Sequence, residues 1–467
     1  MTRSAAGAME PGRAAQGRWR RHVLAFGAMA LLLLGVGVLQ SWSVMLAIVN
    51  LCLISAILAL GVNIQWGYAG LFNAGVMGFA ALGGLAAVLV SEPPVIAAWQ
   101  AGGLAILGLL LTLAALVAAL GLIARRWSGS ALRLPALLLV SFAGYWALRA
   151  FYLEATPAIE GVDPTRTGFL GGAGLPIVFA WAVGGLLAAG AAWFIGKVAL
   201  GLRADYLAIA TLGISEIIIA TLKHEDWLTR GVKNVTGLAR PVPYEVTLQQ
   251  ADWFINGVRW WYADTLAAAG DERLPALLAE SSGLFVKLCY TGLFGAVLII
   301  LLLLAMRALN SPWGRMMQAI RDNETAAEAM GKDVKRRHLE VFILGSAVIG
   351  IAGAMLTTLE GQFTPGSYSP LRFTFLIWVM VIVGGSGNNL GSVIGGFLIW
   401  FVWVQAEPAG VELMRLVTAA MAEEHPLRVH LLDNAQHMRH IVMGLILLLI
   451  MRFSPGGILP ATARRSV

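Results

Sequence analysis

The segment richest in functional possibility is Ser311-Pro312-Trp313-Gly314-Arg315-Met316-Met317-Gln318-Ala319-Ile320-Arg321-Asp322-Asn323-Glu324-Thr325-Ala326-Ala327-Glu328-Ala329-Met330-Gly331. Its second half reads as a short helix with a physical start and stop. Asn323 suits the N-cap, Glu324 complements the positive helix N-terminus, and Gly331 ends the helix in a left-handed conformation. Seven residues make ~10 Å of helix, with Ala326 and Met330 on one face and Glu324 and Glu328 on another. Such a helix docks into a groove of another protein or packs on its own bundle, and the residues alone leave both readings open. Ionisable groups within apolar stretches are few. Glu216 lies ten residues into its run, whereas Arg149 and Lys287 lie near run ends and can snorkel. That poverty argues against a proton pump and for a channel-like path driven from outside this chain. No G-x-x-x-x-G-K-[ST] phosphate loop occurs, since Gly196-Lys197 and Gly331-Lys332 continue with Val and Asp. His425, His430, His437 and His440 share one stretch, but neither their spacing nor a matching carboxylate cluster favours a metal. Cys52 and Cys289 fall in apolar runs and read as small core residues.

The elements that must position these residues follow from composition. Of 467 residues, 58% are hydrophobic and 13% charged, with a mean hydropathy of +0.76. Soluble domains carry roughly 45–50% apolar and about 25% charged residues. A globular enzyme, a disordered chain and a disulfide-stapled secreted domain are all excluded. What remains is an all-α, polytopic transmembrane helical bundle of about 10–12 spans, short or re-entrant helices included. Twelve apolar runs can be traced, at 23–39, 44–64, 70–90, 102–123, 134–152, 175–195, 206–222, 284–306, 341–359, 373–383, 393–404 and 441–451. Three are shorter than the ~17 residues a span requires, and are either extended by their flanks or re-entrant.

Lys and Arg in short loops set the orientation. Arg18, Arg20 and Arg21 precede the first run, and Arg125, Arg126, Lys197, Arg203 and seven basic residues between Arg307 and Arg337 fall on the same side. Both termini are therefore expected in the cytoplasm. The net charge of +7 reflects these loops and points to no nucleic acid. Residues 1–18 read as a disordered cytoplasmic tail, 19–460 as the transmembrane domain and 461–467 as a second tail. Within the domain, 223–283 is a long external loop, 307–338 an internal loop and 406–439 an external loop. Asp252 to Tyr262, rich in Trp, reads as a helix at the headgroup level.

With these residues in view, the internal segment resembles the EAA-type coupling loop of ABC importer permeases, specifically branched-chain amino acid permeases of the LivM type. Gly67-Tyr68-Ala69-Gly70-Leu71-Phe72-Asn73-Ala74-Gly75 is similar to that family's early glycine-rich motif. The stretch from Leu202 to Ile217 resembles its central motif, and Thr229 to Leu238 its Gly-rich loop in diverged form. Val383-Gly384-Gly385-Ser386-Gly387-Asn388-Asn389-Leu390-Gly391-Ser392-Val393-Ile394-Gly395-Gly396 resembles its penultimate-region motif, and Arg452 to Leu459 its ending.

The resemblance implies one of two different permease subunits, the other of LivH type, working with two ABC ATPase subunits, a periplasmic substrate-binding protein and the lipid bilayer of a bacterial inner membrane. It implies no catalytic residues and no cofactor in this chain. Arg321, Glu324, Ala327, Glu328 and Gly331 would couple to the ATPases. Gly67, Gly70, Asn73, Gly75, Thr211 and Glu216 would line the translocation path, although the glycines equally serve close helix packing. Gly384, Gly385, Gly387, Gly391 and Gly395 would pack helices, the last two as a G-x-x-x-G pair. This chain departs from the family in an added run at 134–152 and in its long Trp-rich loop. Branched-chain or other apolar amino acids are the expected cargo. Related permeases move urea, short amides or aromatic acids. Two further rivals are a stand-alone carrier or channel, which would want several intramembrane carboxylates, and a structural subunit of a membrane enzyme complex, which would want His pairs inside spans.

Overall fold

The computed structural model describes residues 11–127, 129–163 and 167–461. In a bilayer every backbone polar group must be satisfied within the chain, so apolar stretches of this length fold as helices. The principal ones are α1 (Pro11–Leu39), α2 (Trp42–Val62), α3 (Val76–Ser91), α4 (Leu104–Arg126), α5 (Arg133–Glu160), α6 (Val178–Ala199) and α7 (Ala204–His224). After a long loop carrying α8 (Asp252–Trp261) come α9 (Leu274–Asn310), α10 (Pro312–Asp322), α11 (Glu324–Ala329), α12 (Val334–Glu360), α13 (Pro370–Gly384), α14 (Asn389–Val417) and α15 (Met438–Phe453). Among the described residues ten helices are long and apolar enough to cross a membrane, and two shorter apolar ones, α3 and α13, match the remaining runs.

The core is formed by α2, α3, α6, α12, α13 and α14, whose small residues let backbones approach closely. A Cβ built on Gly83 of α3 would lie 1.9 Å from the Gly350 carbonyl oxygen of α12. Around this core sit less buried helices. In α4 and α5 only Ile106, Ala155 and Ile159 are buried among the described residues. The pair meets the rest through a small cluster of these with Ala98 and Leu170 and a bond from the Tyr152 hydroxyl to Glu225. The added run at 134–152 is thus a peripheral hairpin. In the long loop, α8 buries Phe254 and Val258 and leaves Trp260 and Trp261 exposed, with Phe254 edge-on to Phe285 of α9. Two short strands, β1 (Val235–Thr236) and β2 (Gln362–Phe363), pair antiparallel and tie that loop to the end of α12.

Several expected boundaries differ. The backbone of residues 11–18 is helical and continues α1 where a disordered tail is expected, and residues 1–10 and 462–467 lie outside the described residues. The expected loop at 406–439 begins later, because α14 extends to Val417. Apolar residues 411, 413, 414, 416 and 417 carry the helix on past Pro408, which it tolerates internally. The run at 70–90 is helical only from Val76, and residues 70–75 form a loop. All three short runs gain length from their flanks, those at 393–404 and 441–451 enough to cross a membrane, whereas α13 reaches only 15 residues, or ~22 Å. Arg21, Asn310, Asn388 and Ala461 line one crevice. The start of α1, the segment after α9 and the C-terminal residues therefore meet at one end of the bundle.

Candidate functional site

At that end, the segment between α9 and α12 folds as two helices in an elbow. Ser311 caps α10 by accepting from the Gly314 amide, and Pro312 fits the first helical position, where an amide hydrogen has no helical partner. Met317 and Ile320 then bury one face of α10. Asn323 caps α11, its side-chain oxygen accepting from the Ala326 amide at 2.9 Å. Gly331 has φ +75°, and the amide of Lys332 returns to the Ala327 carbonyl at 3.1 Å. The cap and stop thus lie where the residue types place them, and the helix is Glu324–Ala329, one residue shorter than expected.

Ala327 is the residue of α11 that rests on the bundle, and Met330 is 79% exposed. Glu324, Glu328 and Met330 are left as an exposed ridge.

Two side chains join this elbow to the core. Trp313 donates through Nε1 to Glu340 of α12 at 3.0 Å, and Glu340 also holds Arg337. Arg321 does not point outward with the ridge. Its guanidinium donates to the Gly67 carbonyl at 2.6 Å and pairs with Asp322 at 3.1 Å. A hydrogen bond from a charged donor is about twice as strong as a neutral one, so Arg321 is a strut between the elbow and the loop that follows α2.

That loop is the centre of a buried polar knot. Past Val62, α2 widens into a π-helical turn, Asn63–Gly67, a deformation frequent at functional sites. Asn63 donates to Asn389 Oδ1 at 3.0 Å and accepts from the Gly387 amide at 2.8 Å. The Tyr68 hydroxyl donates to the same Asn389 oxygen. Gln65 donates to the Phe342 carbonyl and to Ser346 Oγ of α12, both at 3.0 Å. Its own oxygen accepts from Asn73 at 2.9 Å, and Asn73 Oδ1 accepts from the Gly75 amide at 2.8 Å. Trp378 of α13 donates to the Asn73 carbonyl, and Thr211 of α7 accepts from the Ala74 amide at 3.1 Å. One loop thereby binds α2, α7, α12, α13 and the start of α14.

The residues expected to line a path separate accordingly. Gly67, Asn73, Gly75 and Thr211 are brought together in this knot, and all four are buried. Gly67 must be glycine, because a Cβ there would fall 2.6 Å from the Gly387 nitrogen. Gly70 is exposed beside Arg321, with φ +71°. Glu216 stands apart, on the face of α7 turned away from the bundle. Between the elbow and the loop lies a cavity of about 190 Å³, reached by Gly70, Phe72, Arg321, Glu324 and His338. The second glycine group sits where α13 meets α14. A Cβ on Gly395 would lie 2.0 Å from the Met380 carbonyl oxygen, and one on Gly384 would lie 2.0 Å from that of Gly391. Gly385 and Gly387 make the positive-φ turn between the two helices.

Asn63, Gln65, Tyr68, Trp378 and Asn389 did not stand out as functional from sequence. Their signal was present, since two amides two residues apart at the end of an apolar run must find partners.

Comparison with known proteins places this arrangement. Residues 44–451 match the family model described as branched-chain amino acid transport system / permease component. The chain belongs to that family. It is a multi-pass membrane protein of a transport-permease family. It is 24% identical over 338 residues to the high-affinity branched-chain amino acid transport system permease protein LivM of Escherichia coli, covering 70% of this chain and 65% of that protein. The probable LivM of Methanocaldococcus jannaschii is 25% identical over 186 residues, 40% of this chain and 50% of that protein. The probable LivH of the same organism is 31% identical over 103 residues, 22% of this chain and 32% of that protein. The matches thus span less than two thirds of these relatives' own lengths. No solved structure matches.

Proposed function

We propose that this chain is one membrane-spanning subunit of an ABC importer for branched-chain or other apolar amino acids. It sits in a bacterial inner membrane with both termini cytoplasmic. The observation that carries this reading is the Arg321–Gly67 strut, which links a capped, outward-facing ridge to a buried loop gripping five helices. Two partner ATPases press on Glu324, Glu328 and Met330, and Arg321 and Trp313 carry the displacement into the knot. A packed core transmits such a shift as a switch between discrete arrangements. A second permease subunit, of LivH type, faces this one. Glu216 belongs to the path if that partner covers the outer face of α7. A periplasmic binding protein presents the cargo, and the chain itself performs no catalysis.

Gentle affinity purification followed by native mass spectrometry tests the assembly. Two ATPase subunits and one different permease are expected. The chain alone, with no ATPase even after cross-linking, would reject the reading in favour of a carrier or channel. The double variant Glu324→Lys with Glu328→Lys tests the ridge. Membrane insertion should be retained and ATP-coupled uptake lost, and unchanged uptake would remove the ridge from the mechanism.

A further inference from the structure

The far end of the bundle carries a feature that the coupling machinery does not use. A cavity of about 360 Å³ opens between α2, α12, α13 and α14, near the end of α12 opposite Val334 and the elbow. Its floor is apolar, with Ile54 and Leu58 from α2, Met77 from α3, and Leu376, Ile377 and Met380 from α13, all buried. Two charges of opposite sign stand on its lining. Glu360 is the last residue of α12, and Arg372 lies in the first turn of α13. Both are exposed, which places them at the rim. Neither forms an ion pair or a hydrogen bond among the described residues.

The Arg372 guanidinium is held by the rings of Phe373 and Trp403, at 5.3 and 5.2 Å from their centroids. Trp400 also lines the cavity, and its indole nitrogen is buried without a hydrogen-bond partner. Ser55, Ser367 and Ser369 add hydroxyls to the same wall.

A carboxylate and a guanidinium that share the rim of one cavity without pairing are both open to a ligand that carries the two opposite charges. A neutral ligand would match neither, and a simple anion or cation only one. The volume lies at the small end of the ~300–1,000 Å³ range of ligand pockets. We propose that this cavity binds one zwitterionic amino acid with an apolar side chain. Its carboxylate meets Arg372, its ammonium meets Glu360, and its side chain rests among Ile54, Leu58, Met77 and Met380. The inference rests on the importer reading and adds to it where this chain itself recognises cargo. In that frame the cavity lies on the periplasmic side, where a binding protein would release its load.

The test uses the full chain, with whatever subunits co-purify, in phosphatidylglycerol nanodiscs. L-leucine is titrated against leucinol, which lacks the carboxylate, and 4-methylpentanoate, which lacks the ammonium. Leucine should bind saturably, and both analogues at least tenfold more weakly. Arg372→Gln should weaken leucine at least tenfold and leave leucinol unchanged. Glu360→Gln should do the same and leave 4-methylpentanoate unchanged. A fold defect would instead weaken all three ligands together and lower the melting temperature. For that case Ser55→Leu, which fills the cavity and keeps both charges, should abolish leucine binding on its own. No leucine binding, or binding unaffected by all three variants, would overturn the proposal. Displacement of leucine by phosphatidylethanolamine would assign the cavity to a lipid headgroup and overturn it as well. Co-purified ATPases with no leucine binding would reject the cavity alone. Leucine binding without any ATPase after cross-linking would reject the importer reading and leave the cavity standing.

Discussion

Two regions of this chain have similar apolar content and quite different interiors. In the most apolar stretch of residues 42–67, 67% of the residues are buried, whereas in that of residues 96–126 only 6% are. The first stretch ends in Asn63 and Gln65, whose amides bind α12 and the start of α14. It also meets α12 at Gly61, where a Cβ would fall 2.9 Å from the Gly345 carbonyl oxygen. The second stretch is the first arm of the α4–α5 hairpin, and the side-chain tie it makes beyond the hairpin among the described residues runs from Trp99 Nε1 to the Leu170 carbonyl at 3.0 Å. Apolarity is what the bilayer demands of any span, so it does not distinguish packed helices from peripheral ones. Glycine does not either, since residues 96–126 hold Gly102, Gly103, Gly108 and Gly121. Amides bonded to other helices do, because each is costly in a lipid-facing helix unless a neighbour satisfies it.

That contrast can be broken most severely at Gly395. Gly395→Val would drive a side chain into the Met380 carbonyl, 2.0 Å from the first added carbon. Overpacking against backbone should cost about 3 kcal/mol or more. The protein should fail to elute as a single species in size-exclusion chromatography, and a normal profile would show that α13 and α14 can separate freely. Asn63→Ala is the next largest. It removes the acceptor of the Gly387 amide and one donor to Asn389, a loss of about 1–3 kcal/mol for groups left unsatisfied in a buried site. A lowered melting temperature in detergent would bear this out. The smallest effect is expected in the hairpin, at Leu139, which is 72% exposed. Leu139→Ala should change stability by no more than about 0.5 kcal/mol. A larger loss in the assembled transporter than in the isolated chain would sharpen the comparison, by showing that a partner covers this face.

The same contrast explains what could be read from sequence. All twelve apolar runs became helices, because length and apolarity are local properties. The cap at Asn323 and the stop at Gly331 were legible for the same reason. The start of α3 was not, because residues 70–75 are apolar enough to look like span, yet Gln65, Thr211 and Trp378 draw them into a loop. Ala327 could not be told from Ala326 as the inward residue, since that choice depends on how the whole elbow lies against the bundle, and only Ala327 of α11 is buried. The resemblance assigns Arg321 to the coupling loop, but its partner lies 254 residues away at Gly67, beyond what the loop's own residues reveal. Glu360 and Arg372 sit at run edges, where charge is ordinary, and only the turn between α12 and α13 brings them to one cavity.

The central claim is that the strut, and not the ridge alone, carries force into the core. Arg321→Ala tests it in the assembled transporter reconstituted in liposomes, with ATP hydrolysis and leucine uptake measured on the same preparation. Without the bond to the Gly67 carbonyl, the ridge can still engage the ATPases, but its displacement no longer reaches the knot. Hydrolysis should persist and uptake should fall at least tenfold. Uptake that remains in proportion to hydrolysis would contradict the account.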